Sequence, residues 1–96
     1  MMHLGAARIT LYLPEAMSLK DKRGVVKSIV DRSRHRFNAA ISEVEDLNDL
    51  RVATIGVSVV SNDSRHADEM LQVIVGFIER EADAELGEVE TEILTF

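Results

Sequence analysis

The sequence predicts an α+β fold in which two helices cover one face of a four-stranded antiparallel sheet. In four segments apolar and polar residues alternate, as in half-buried strands, and in two others apolar residues recur every three or four positions, as in amphipathic helices. These segments follow one another in the order βαββαβ, which is the ferredoxin-like, split βαβ pattern with strand order 4-1-3-2. A chain of 96 residues has room for one such domain.

The first half of the chain supplies a strand, a helix and a second strand. Alternation over residues 3–13 predicts the first strand. Ser18 can cap a helix over about 18–35, because its side chain can accept from a free N–H of the first turn. Residues 36–45 predict a weaker second strand, and the DLND cluster at 46–49 is typical of a turn.

The second half repeats this pattern with stronger signals. Residues 50–61 alternate most regularly and predict the third strand. Asp63 can cap the second helix, whose apolar residues between 67 and 78 follow the i, i+3, i+4 rule. We expect Gly87 to close this region and residues 88–96 to form the last strand.

The two periodicities also predict which side chains share the core. The expected core residues are Ile9, Leu11, Val26, Val30, Ile55, Val57, Met70, Leu71, Ile74 and Ile78. Those expected on the open sheet face are Arg8, Thr10, Tyr12, Thr54, Gly56, Ser58, Glu90 and Glu92, which makes that face small and polar. An RNA-recognition motif stacks bases on several aromatic side chains, and this face offers one, so we do not expect base stacking on the sheet.

Basic residues are concentrated in SLKDKRGVVKSIVDRSRHRF, residues 18–37. This stretch holds seven of the eleven Lys and Arg residues and two Asp, so it carries +5 within a chain of net charge −6. At 100° per residue, four of the cations fall within about 60° of one another, on the side away from the apolar residues. We call Lys20, Arg23, Lys27 and Arg34 the basic stripe.

The stripe and the start of the helix predict a surface for polyanions. The helix dipole disfavours cations in the first turns, and a bound phosphate would remove that conflict. The candidate nucleic-acid-binding residues are Lys20, Lys22, Arg23, Lys27 and Arg34. The alternative is a solvated face, partly neutralised by Asp21 and Asp31. Gly24, beside the stripe, either lets a partner approach closely or is a tolerated surface glycine.

No group of residues indicates a catalytic or metal site. The chain has no Cys, its three His have no metal-ligand spacing, and it contains neither a G-x-S-x-G motif nor a phosphate loop. Glu88, Glu90 and Glu92 alternate along the last strand, but pairing with Arg8 is a simpler expectation than a metal. We therefore expect no cofactor and no enzymatic activity.

Nothing in the sequence predicts a membrane or secreted protein. The opening MMHLGAARITLYL lacks the basic region and apolar run of a signal peptide, and no apolar run reaches the roughly 20 residues that span a bilayer. The absence of Cys fits a reducing compartment. We expect a cytoplasmic protein.

Several motifs resemble the bacterial YlxP-like family, a domain of unknown function. The most specific is S-L-K-D-K-R at 18–23, and Phe37-Asn38, Glu43-Val44 and V-V-S-N-D at 59–63 extend the resemblance over nearly the whole chain. The resemblance implies a ferredoxin-like fold and brings no catalytic residues. Members are often encoded beside genes for translation initiation and ribosome maturation, which implies work with RNA or the ribosome by association.

Three functions remain open at this point. The first is an RNA- or ribosome-associated accessory protein that uses the basic first helix. The second is a homo-oligomeric or adaptor module that pairs through its open sheet face or an edge strand. The third is a small-ligand-binding or enzymatic domain, which the fold permits and no residue cluster supports.

Overall fold

The computed structural model describes residues 1–96 and has the predicted order of elements. These are β1 (His3–Tyr12), α1 (Leu19–Arg36), β2 (Ala40–Glu45), β3 (Val52–Ser61), α2 (Ser64–Glu81) and β4 (Glu85–Thr95). The strands form one antiparallel sheet in the order β2-β3-β1-β4, which confirms the predicted topology. Both helices pack on the same side of this sheet, over one core.

The core is the one that the periodicities predict. Nine of the ten expected residues are buried, and Met70 is half-buried against them. Phe37 and Phe77 extend the core at one end, with their rings edge to face and their centroids 5.3 Å apart. Arg36 lies over both rings. The helix and strand patterns therefore specify one common interior.

Two boundaries differ from the prediction. α1 continues to Arg36, and the N–H of Phe37 still donates to Ser33, so β2 begins at Ala40. β4 begins at Glu85 and contains Gly87, which was expected to precede it. A Cβ at Gly87 would overlap the Tyr12 ring of the neighbouring strand. This glycine therefore marks a close approach of a ring to the backbone, and the prediction of a break here was wrong.

Lys22 is the largest fully buried side chain of the protein. Its Nζ donates to the main-chain carbonyl of Asp46 and lies 3.2 Å from Oε2 of Glu43, a side chain that is itself 17% exposed. Lys22 points inward because it precedes the buried Val26 and Ile29 by four and seven residues, which places all three on one side of α1. The ammonium group thus links the start of α1 to the end of β2.

The turn after β2 is shaped around this contact. β2 has a bulge between Glu43 and Glu45, and Asp46 follows with a positive φ of 62°. The Asp46 carbonyl also accepts from the N–H of Asp49, at 3.0 Å, and its carboxylate accepts from the Thr54 hydroxyl, at 2.7 Å. These bonds compensate for the left-handed backbone, which Asp tolerates better than most residues. Thr54 lies on the open face as expected, opposite Thr10, but this turn covers it and buries it.

We predict that Lys22 and Glu43 stabilise the fold as a coupled pair. Lys22→Met should lower the free energy of unfolding by about 3–5 kcal/mol, because it leaves a largely buried carboxylate without its cation. Lys22→Met combined with Glu43→Leu should recover much of this loss, since no uncompensated charge remains. Urea unfolding of both single variants and the double variant measures the coupling.

Lys20→Met is the matched control for this cycle. Lys20 lies in the same turn of α1 but is exposed, so its substitution should change the free energy of unfolding by no more than about 0.5 kcal/mol. Equal losses for Lys20→Met and Lys22→Met would contradict the buried ion pair. Additive single effects in the cycle would contradict the coupling.

Candidate nucleic-acid interface

Four of the five candidate residues lie where the helical spacing predicts. Lys20, Arg23, Lys27 and Arg34 are all exposed on the outer side of α1. At 1.5 Å per residue the stripe extends about 21 Å along the helix axis. This length is sufficient to run beside several phosphates of a nucleic-acid strand.

Lys22 is the exception among the candidates. Its ammonium group is enclosed by Glu43 and the Asp46 carbonyl and has no access to a partner at the surface. The expectation that Lys22 binds nucleic acid is therefore corrected. Its spacing to Val26 and Ile29 places it on the buried side of α1. The sequence prediction did not use this spacing, because lysines are usually exposed.

The N-terminus of α1 is occupied by the helix's own carboxylate. The Ser18 Oγ accepts from the N–H of Asp21, at 3.0 Å, and the Asp21 Oδ2 accepts from the N–H of Met17, at 3.1 Å. This arrangement resembles a capping box and places a negative charge near the positive end of the dipole. Asp21 thus already removes the conflict for which an external phosphate was predicted. The candidate interface is therefore reduced to the side chains of the stripe.

The stripe residues differ in how freely their donors are available. Lys27 is paired with Asp31, with 2.6 Å between Nζ and Oδ2, and this hydrogen bond lowers the pKa of the Asp31 carboxyl. Arg34 donates its Nε to the carbonyl of Ile41, at 2.8 Å, and its terminal nitrogens make no hydrogen bond within the protein. Lys20 and Arg23 form no ion pair. Most of the donor capacity of the stripe therefore points outward.

Two further arginines of the basic stretch have structural roles. Arg32 donates to the carbonyl of Glu81, at 2.8 Å, and so joins α1 to the last residue of α2. The guanidinium of Arg36 lies 5.4 Å from the centroid of the Phe77 ring, within the range of a cation–π interaction. The count of seven cations thus overstates the charge that is free to bind a partner.

Gly24 has no packing role within the protein. Apart from its chain neighbours and the nearby backbone of its own helix, no atom lies within 4 Å of the position that a Cβ would take there, and the residue is exposed beside the stripe. A side chain would therefore fit without any rearrangement of the protein. Both interpretations, the close approach of a partner and a tolerated surface glycine, stay open.

An ionic cluster occupies the middle of the open sheet face. Arg8 donates three hydrogen bonds to the carboxylate of Glu90, at 3.0–3.1 Å, and one to Glu45, at 3.0 Å. The bond to Glu90 raises the pKa of Arg8 and lowers that of the Glu90 carboxyl. The expected pairing of Arg8 with the last strand is confirmed. No group of three or more His, Asp or Glu side chains is close enough to hold a metal.

One end of the open face is apolar, which the sequence analysis missed. Leu4 is paired in register with Val60 on one side and Leu94 on the other, and these two are 61% and 47% exposed. Met2 and Phe96 pair through their main chains next to this row, and both side chains are exposed. We call these five residues the apolar patch. The signal was Val59-Val60 and Ile93-Leu94, since adjacent apolar residues in a strand place one on each face.

Neither α1 nor α2 is long and apolar enough to cross a membrane. The expectations of a cytoplasmic location and of no enzymatic activity stay predictions.

Known proteins similar to this chain agree with its fold and motifs. Residues 4–91 match the family described as "Protein of unknown function (DUF503)". The uncharacterized protein YlxP of Bacillus subtilis (strain 168) is 30% identical over 89 residues, which cover 93% of this chain and 97% of that protein.

Two designed proteins are similar in structure. Foldit4, a de novo designed protein, has a TM-score of 0.58 and 16% identity, with 100% of this chain and 99% of that chain covered. The de novo designed protein LFR1 1 with ferredoxin fold has a TM-score of 0.57 and 15% identity, with 100% and 88% covered. At such identities the similarity shows the fold alone. The match over residues 4–91 and the similarity to YlxP together show that the chain belongs to the DUF503 family, which confirms the YlxP-like resemblance.

Proposed function

We propose that the protein is an accessory factor that binds the phosphate backbone of RNA through the basic stripe. The observation that carries this proposal is the set of four exposed cations along about 21 Å of one helix face, in a chain of net charge −6. An isolated basic face on an acidic protein is what local polyanion binding requires, because the rest of the surface opposes non-specific adhesion.

The chemistry of the stripe fits backbone contacts better than base contacts. Lys20 and Arg23 offer unpaired donors, and Arg34 is held through its Nε so that its terminal nitrogens are oriented in advance. No Phe, Tyr or Trp lies within α1 on which a base would stack. Such contacts position a protein on RNA without specifying a sequence. Structured ribosomal RNA is the RNA that the family resemblance implies.

We predict that binding depends steeply on salt and on two residues of the stripe. Lys20→Glu combined with Arg23→Glu should weaken binding to all ribosomal RNA fragments alike and reduce the slope of log K against log[salt] by roughly two units, because two phosphate contacts no longer release counterions. Titrations at several salt concentrations measure both quantities. Thermal melts should show little change, since both residues are exposed.

The matched control is Arg65→Glu combined with Arg80→Glu. These arginines are exposed on α2, and their reversal changes the net charge by the same amount. The control should keep the wild-type salt slope. Equal weakening in the two double variants would show a general charge effect and contradict the proposed interface. Failure of the wild type to bind RNA at low salt would contradict the proposal as a whole.

The apolar patch supports a second candidate function, a homo-oligomeric module that pairs through its open sheet face. Val60, which is 61% exposed, lies at the β3 end of a row that crosses three strands, with Leu4 at its centre. A two-fold contact would bring the patch against its own copy and remove it from water. In this candidate function the protein has no chemistry of its own.

We predict for this candidate that Val60→Lys converts a dimer into a monomer. Val73→Lys is the control, because Val73 is similarly exposed but lies on α2, away from the sheet face. Sedimentation equilibrium of the three proteins measures their mass in solution. A monomeric wild type, or a dimer that Val60→Lys leaves intact, would contradict pairing through the patch.

A further inference from the structure

The two edge strands of the sheet differ in how well they are protected. β2 has six residues, contains a bulge, and receives the Arg34 guanidinium on its Ile41 carbonyl. Short length, bulges and covering side chains are the usual means of blocking an edge. β4 has eleven residues and none of these features over Val89–Thr95, where its register with β1 is regular. The structure therefore leaves one edge open to a further strand.

The main chain of β4 has unused hydrogen-bonding groups along this edge. In an antiparallel pair every second residue turns its N–H and C=O away from its neighbour. β1 is the only strand beside β4, and no side chain or loop bonds to the main chain of residues 85–95. A chain in extended conformation at this edge would find donors and acceptors at the spacing of a strand.

The side chains of β4 define the chemistry of that extended chain. Glu90 and Glu92 lie on the open sheet face, in register with Arg8 and Ala6 of β1, and Glu92 forms no ion pair. On the helix side, Val89 is 37% exposed and Ile93 is half-buried, so α2 does not fully cover them. Over residues 89–93 the open-face side of the edge is therefore acidic, and the helix side carries two apolar side chains with Thr91 between them.

We propose that the β4 edge binds an extended segment of another protein in which basic and apolar residues alternate. Added as a fifth strand, such a segment places its Lys or Arg side chains beside Glu90 and Glu92 and its apolar side chains beside Val89 and Ile93. A second copy of β4 fits poorly, because a two-fold pairing brings acidic residues against each other. The acidic side chains thus select a basic partner and oppose self-association.

This site is independent of the basic stripe. α1 packs over the β2 half of the sheet and the proposed site is the opposite edge, so one molecule has room for both partners. The charges of the two surfaces are also opposite. A variant of one surface is therefore a control for the other.

The test uses an eight-residue peptide that alternates Lys with Val or Thr, and the full-length protein labelled for NMR. Amide shifts should change along Val89–Thr95 and not along β2. A peptide of the same composition with its lysines in one block should bind roughly tenfold more weakly, because it cannot match the spacing of Glu90 and Glu92. Glu92→Lys should cause a similar loss, and Glu69→Lys on α2 should cause none.

Main-chain pairing is tested with two versions of the alternating peptide. One carries N-methyl groups on its odd-numbered residues, and the other carries them on its even-numbered residues. One set blocks the N–H groups that face β4 and should abolish binding, and the other should leave it unchanged. The proposal is overturned if the alternating peptide does not bind, or if it binds no better than the peptide with its lysines in one block. It is also overturned if both methylated peptides bind, or if the amide shifts change outside Val89–Thr95. In those cases the acidic residues only guard the edge.

Discussion

The buried ammonium group of Lys22 is the contact on which the orientation of α1 depends. A lysine removed from water is strongly destabilising unless acceptors surround it, and here Glu43 and the Asp46 carbonyl supply them. Because residues in a helix are 100° apart, a Lys22 that faces inward places Lys20 about 160° away, on the outer side, and Arg23 about 100° away, at the flank. The contact that closes the turn after β2 therefore also presents the basic stripe to solvent.

The fold also separates the basic and acidic residues of the molecule. The exposed cations of the basic stretch lie on α1, and a row of acids follows β4 at the far side of the sheet. Arg34 illustrates how one residue serves both purposes, since its Nε protects the β2 edge while its terminal nitrogens stay free. If both proposals hold, the domain would bring an RNA and a basic segment of another protein together on opposite sides of one sheet.

The sequence was sufficient to predict the element order, the topology and the core, because periodicity reports which face of each element is buried. It was insufficient where a contact joins distant residues. Lys22 is buried because Glu43 and Asp46, more than twenty positions away, provide its acceptors, and no pattern within α1 shows them. Thr54 is buried by the same turn, and Gly87 leaves space for the Tyr12 ring of the neighbouring strand. Only the spacing of Lys22 to Val26 gave a local signal.

The reactivity of the lysines tests this account most directly, because the chain has three and all lie in α1. An acetylating reagent applied to the folded protein, followed by mass spectrometry, should modify Lys20 and Lys27 and leave Lys22 unmodified until the protein is unfolded. Bound RNA should slow the reaction at Lys20 and Lys27. Reaction of Lys22 at the rate of Lys20 in the folded protein would contradict the buried contact, and with it the orientation of the stripe.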